Sequence, residues 1–200
     1  MAGNWTATDV VNGGDGVDVA TVAVTSAVTV GTTTGIEAIT ATFDAQTDTL
    51  ALASLTGPVT VTGVATNGNS DTMNISGLST GSTVINNVAT IDTIVADTAA
   101  GASLTVDIQA AMETSVTVAD AANVTLTNTS AAAGDLFATA LDTVDTVRLD
   151  VDAGTAASID TGAITATNKL ATVEVTASTA GQNVSIDTIA DADSLASLTL

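Results

Sequence analysis

Cysteine and histidine are absent from this chain, and Arg148 and Lys169 are its only bases. Without thiol or imidazole it can form no disulfide, no thiolate or zinc centre, and no Ser-His-Asp or Cys-His machinery. Aromatics are scarce as well: Trp5, Phe43 and Phe137 are the whole set. No platform remains on which sugar rings could stack. Pro58 is the only proline. Thr, Ser, Asp or Gly interrupts every apolar run before it reaches the roughly 18 residues a membrane helix needs. Catalysis is therefore not expected. Carboxylate pairs on a β-helix could hydrolyse sugars in principle, which leaves a polysaccharide-active enzyme as a remote alternative.

What is present is acid, aliphatic and threonine. The 22 acidic residues set a net charge of -20, yet 46% of the chain is hydrophobic. That is too apolar for a disordered acidic chain. The charge repels nucleic acid and anionic lipid, so neither is an expected partner and membrane insertion is not expected. It also makes the folded state repel itself. Divalent cations would relieve that, and a chain offering only oxygen ligands suits calcium, so Ca2+ is the expected cofactor. The scarcity of Lys and Arg, with the missing Cys, fits an extracellular protein of a bacterial surface. Met1 to Asn12 carries no secretory signal, with neither a basic start nor an apolar core. Met1-Ala2-Gly3 reads as an added start and Ser194-Leu-Ala-Ser-Leu-Thr-Leu200 as an unfinished strand, so a piece of a longer polypeptide is expected.

Strand signals dominate the chain. Val22 to Val30, Pro58 to Thr62, Ser103 to Asp107, Ser115 to Val118 and Asn123 to Thr127 alternate β-branched with small or polar residues. Gly, Asn, Asp and Ser gather between them, as turns require. Two short stretches, Asp107 to Glu113 and Ala132 to Ala140, carry weak helical signals, and each reads equally as a single turn or a loop.

The strands also repeat. Leu170-Ala-Thr-Val173-Glu-Val175 matches Leu195-Ala-Ser-Leu198-Thr-Leu200, and Val144-Asp-Thr-Val147-Arg-Leu149 fits the same template. Ile36 to Ala41 fits loosely. Ser158-Ile-Asp-Thr161 and Ser185-Ile-Asp-Thr188 form a second, interleaved type. Short strands at a period of about 25 residues predict an all-β chain folded as a parallel β-solenoid, or β-helix. The alternative is an array of β-sandwiches, which would usually carry a buried Trp or a Tyr corner. Three segments are expected: 1–21, a glycine-rich turn and entry strand; 22–135, less regular coils with room for an inserted lobe or longer loops from Gly57 to Asp135; and 136–200, regular coils.

Gly13-Gly14-Asp15-Gly16-Val17-Asp18-Val19-Ala20-Thr21 matches the calcium-binding nonapeptide G-G-x-G-x-D-x-U-x. Its glycines permit positive φ, so that carbonyls can point inward, and its Asp closes the oxygen cage. Asp9-Val10-Val11-Asn12 sits one nonapeptide earlier, as the tail of a degenerate preceding copy. The expected metal-ligating set is Asp9, Asn12, Gly13, Gly14, Asp15, Gly16 and Asp18, with Asp150, Asp152, Asp191 and Asp193 as further carboxylate pairs. Asp142 and Asp145 flank the coil of Asp150. The alternative for the turn is an ordinary Gly-Asp hairpin, and for each lone acid a solvated loop. No Lys follows the glycines, so the turn is not a phosphate loop. Five Asn-x-Ser/Thr sequons, at Asn4, Asn74, Asn123, Asn128 and Asn183, are uninformative in so Thr-rich a chain.

From Asn12-Gly-Gly-Asp-Gly-Val-Asp18 to Gly35-Ile-Glu-Ala-Ile-Thr40, the chain resembles bacterial surface-layer proteins of the RTX type. The motif match spans Asp9 to about Phe43, and the acidic, Lys-poor, Thr/Ala-rich style extends over the whole chain. The resemblance implies a secreted, calcium-stabilised β-solenoid that assembles with copies of itself into a lattice or filament, with calcium contacts at Gly14, Gly16 and Asp18. Large RTX adhesins share the style, so a segment of a secreted calcium-binding adhesin is the alternative, with cell-surface polysaccharide as a second candidate partner.

Overall fold

A computed structural model describes residues 5–44, 48–65, 71–110, 114–128, 136–141, 148–152, 158–160, 163–165, 170–176, 183–185, 188–190 and 195–199. These form strands and connecting turns, and every strand pairing among them is parallel. Parallel neighbours cannot be joined by a tight hairpin, so the chain must travel round the molecule between them. The result is a β-solenoid. The antiparallel pairing that the sandwich alternative needs does not occur among the described residues.

Two wide ladders carry the coils. The first runs β2 (Val19–Val24), β5 (Ala38–Phe43), β7 (Thr60–Ala65), β9 (Ser82–Asn86), then the second halves of β10 (Ile91–Ile108) and β11 (Thr114–Asn128). It continues through β13 (Arg148–Asp152), β16 (Thr172–Thr176) and β19 (Ser197–Thr199). The second runs β3 (Val28–Thr29), β6 (Thr49–Ala51), β8 (Asp71–Leu78), then the first halves of β10 and β11. It ends in β12 (Leu136–Leu141), β15 (Ala163–Thr165) and β18 (Thr188–Ala190). Short third ladders join β1 (Val10–Asn12) to β4 (Thr32–Thr34), and β14 (Ser158–Asp160) to β17 (Asn183–Ser185). The pairing crosses both segment boundaries drawn from the sequence.

Alternation decides which residues enter the core. In β2 the side chains of Ala20, Val22 and Val24 are buried and those of Val19, Thr21 and Ala23 are exposed. Stacking in register then aligns the inward residues into a column: Ala20, Ile39, Val61, Val84, Val106, Leu126. Each packs against the residue above and below it as well as the opposite wall, which is the close packing that cores require. Gly63 lies in the next inward column, between Ala41 and Asn86. A Cβ there would lie 2.5 Å from the Met73 sulfur, so the small residue leaves room for the large one opposite.

β10 and β11 each turn a corner without leaving the strand conformation for long. Their pairing shifts register between Asp97 and Ala102, where Gly101 (φ 78°) and Asp120 (φ 63°) enter the left-handed region. Asp is among the few non-glycine residues that tolerate it.

Two expectations need correction, the helical signals and the repeat register. Asp107 and Ile108 end β10 and Leu136–Leu141 forms β12, so the weak helical signals at these residues give strand. Between Gly57 and Asp135, where the sequence left the fold open, the described residues include β10 and β11, the longest of the described strands, stacked in the same two ladders. And the repeat template is displaced by two residues: it aligned Val147 with Val173, whereas Leu149 pairs with Val173, and Ser158 pairs with Asn183 instead of Ser185. A shift of two leaves the inward and outward faces unchanged, which is why alternation alone cannot detect it. The match of Val173 to Leu198 is as expected. Coil length varies along the chain: the step from Thr172 to its partner Ser197 is longer than the step from Val19 to Ala38, and the step from Thr105 to Thr125 is shorter than that from Thr83 to Thr105.

Candidate calcium turn

The glycine-rich segment connects β1 to β2 and lies directly against the turn between β4 and β5. Gly14 (φ 93°) and Gly16 (φ 118°) both take the left-handed backbone that their residue type allows. The Asn12 side-chain oxygen accepts from the Gly14 amide at 3.0 Å, which closes the turn locally. The Gly13 amide donates to the Thr34 carbonyl at 2.9 Å. The two turns approach so closely that a Cβ on Gly13 would stand 1.7 Å from the Gly35 carbonyl oxygen. Gly35 (φ 62°) faces Gly14 in return, its Cβ position 3.0 Å from the Gly14 carbonyl oxygen.

Asp18 anchors the end of this stack. Its amide donates to Glu37 Oε2 at 2.9 Å, and its carbonyl accepts from the amides of Glu37 and Ala38, both at 3.2 Å. Its Oδ2 is shielded from solvent and has no hydrogen-bond partner. A buried carboxylate oxygen without a donor is costly, and a hard cation is one group that would satisfy it. The same pair of turns carries the Asn12 amide oxygen, the Gly14 and Gly35 carbonyls and the Glu37 carboxylate. This set is mostly neutral oxygen. Among the described residues no three acidic side chains converge as a metal cluster. On its chemistry the set fits calcium, which accepts carbonyl as readily as carboxylate oxygen.

The remaining expected ligands distribute as follows. Asp15 is exposed at the turn's tip. Asp9 is engaged locally: its Oδ2 accepts from the Thr6 amide at 2.8 Å, and its own amide donates to the Thr6 carbonyl at 3.0 Å. Asp9 and Asp18 nevertheless share the wall of one cavity of about 420 Å³, with Trp5, Val11 and Ile36. The nonapeptide offset does not stack β1 on β2. It sends β1 to β4 and β2 to β5, so the two segments belong to different ladders. Asp150 and Asp152 lie on β13, separated from β2 by five strands of the first ladder, and so do not join the turn. Asp150 pairs in register with Glu174, whose carboxylate accepts from Arg148. Asp191, Asp193, Asp142 and Asp145 lie outside the described residues.

Glu37 is the ligand candidate that the expected set omitted. Its signal was faint: a Gly-Ile-Glu one coil beyond the nonapeptide. Asp48 and Asp71 are buried as well, at 3% and 1% exposure. Their phase could have been read, since each stands two positions before an inward apolar residue, Leu50 and Met73 respectively.

The fold makes this chain a parallel β-solenoid. It matches no family model, no curated protein and no solved structure.

Proposed function

We propose that this is a structural component of an extracellular bacterial surface layer, a calcium-stabilised β-solenoid that assembles with copies of itself. The observation that carries the reading is the stacked pair of turns at 12–18 and 34–37, with the unpartnered Asp18 oxygen held inside it. Calcium there would be held by Asp18, Glu37, the Asn12 side chain and the carbonyls of Gly14 and Gly35. It would supply positive charge that the chain, with two bases against 22 acids, lacks. A ligand that binds the folded but not the unfolded chain stabilises the fold by mass action. The solenoid suits a scaffold because its coils stack through backbone hydrogen bonds and present long, regular faces.

The adhesin alternative shares the calcium and the solenoid but requires a sugar-binding platform. Trp5 is partly buried against the end of the core and stands alone there, without a second aromatic beside it among the lining residues of its cavity. The reading is tested by sedimentation and a circular-dichroism melt, each in millimolar calcium and in chelator. A calcium-dependent rise in melting temperature together with calcium-dependent assembly is expected. A chain that stays monomeric at high concentration in calcium would falsify the assembly, and an unchanged melt would remove calcium.

A further inference from the structure

We infer that the outer face of the first ladder, from β2 to β11, is the surface through which two copies pack, with their solenoid axes antiparallel. The inference rests on the self-assembly reading above and assigns it a place.

Charge is what singles this face out. Acids of these coils gather in turns and corners, Asp15, Glu37, Asp44 and Asp120 among them. Along the outer face the rows are neutral. Thr60, Thr83, Thr105 and Thr125 stack in direct register on four successive coils, preceded by Val19 and Ala38 on the first two. The neighbouring row runs Thr21, Thr40, Thr62, Ile85, Asp107, Thr127. Asp107 is its one acid. It is only 8% exposed and accepts from the Gln109 side chain at 2.7 Å. A chain of net charge -20 repels its copies wherever carboxylates meet. Two of these faces can approach without bringing acids together. The opposite wide face is less suitable: β3 and β6 are short, and Asp97 is half-exposed on β10.

The dimensions are adequate. Six strands at a spacing of about 4.8 Å and a length of about 20 Å give roughly 600 Å² per copy. The pair then buries roughly 1,200 Å², above the about 1,000 Å² that a specific contact should reach and well below an obligate dimer. Methyl groups of Thr, Val and Ile can interdigitate as they do between packed sheets.

The same rows fix the direction. Beyond Thr125 and Thr127 they continue as Asp150, Glu174 and Asp152, three acids against the single base Arg148, which pairs with Glu174. Parallel axes would set these acidic positions against their counterparts. Antiparallel axes place β2 over β11 and carry the acidic coils of each copy past the end of the other.

The absence of cysteine makes the test direct, because each variant carries one thiol. T83C, near the centre of the face, and T93C, on the opposite wide face, are treated with a short bis-maleimide in millimolar calcium after circular dichroism has shown each to be folded. Dimer yield for T83C is expected to exceed that for T93C by about tenfold. A mixture of T21C with T125C is expected to form mixed dimers, and T125C alone is not. T93C linking as well as T83C overturns the face, and T125C linking alone overturns the antiparallel arrangement. T83E should halve or abolish assembly in sedimentation, and unchanged assembly of a folded T83E also overturns the face. If wild type assembles while these results go against the face, only this inference fails. If wild type is monomeric throughout, the assembly reading fails with it.

Discussion

The Asp18 amide donates to the Glu37 carboxylate at 2.9 Å, joining one turn to the turn on the next coil. A cation between these turns would be held by both coils and would resist their separation. At a calcium concentration about 100-fold above the dissociation constant, the fold gains about 2.7 kcal/mol. For a chain of this size that corresponds to a rise of about 5–10 °C in melting temperature. D18N should lose most of this rise and E37Q part of it. A full calcium-dependent rise in D18N would remove Asp18 from the site.

Gly13 should tolerate no side chain. Its Cβ would lie 1.7 Å from the Gly35 carbonyl oxygen, a backbone atom that cannot rotate away. G13A is expected to destabilise by about 3 kcal/mol or more, among the larger effects of single substitutions. At Gly14 nothing lies within 4 Å of an added Cβ, so G14A should cost only the left-handed strain, about 1–2 kcal/mol. Urea denaturation of the two variants separates steric clash from backbone strain, and equal losses would contradict the turn-on-turn contact.

Asp120 occupies the left-handed region at φ 63°. D120G should be neutral or slightly stabilising. D120V, which adds β-branching where φ is positive, should lose about 1–3 kcal/mol. If D120V unfolds at the wild-type urea midpoint, the corner between the two halves of β11 is built differently.

Asn86 is fully buried and holds three bonds inside the corner. Its Nδ2 donates to the Ile91 carbonyl at 2.7 Å and to Thr114 Oγ1 at 3.2 Å, and its Oδ1 accepts from the Val88 amide at 3.2 Å. N86L keeps the volume but strands these partners without bonds. The expected loss is about 2–4 kcal/mol, since each buried group left unpaired costs about 1–3 kcal/mol. A neutral N86L would mean that water enters the corner and takes over the bonds.

Phe43 is fully buried, whereas Val10 is 80% exposed. F43A should therefore lose about 3–5 kcal/mol through burial and cavity terms. V10A should stay within about 0.5 kcal/mol of wild type. The contrast, read from chemical denaturation, checks that Phe43 of β5 faces the core and that Val10 of β1 does not.

Composition, alternation and a repeat of about 25 residues together pointed to the solenoid, with an array of sandwiches as the alternative. Val19–Val24 reads out its own burial pattern, because a strand's side chains point alternately to opposite faces whatever it pairs with. The nonapeptide likewise announced the left-handed glycines at 14 and 16, since φ is a local property. Pairing is not local. The two-residue displacement of Leu149 onto Val173 was invisible because both registers keep the same residues inside, and only the fit of stacked side chains chooses between them. Leu136–Leu141 became strand because the edge of β11 offers unpaired backbone groups, a demand that outweighs a weak helical preference. Glu37 met Asp18 only because one short coil separates them, a length set by how the chain closes round the core. Residue type and period, which act within a few bonds, were legible in the sequence; which coil lies on which, and therefore which oxygens meet, was decided by packing across the whole molecule.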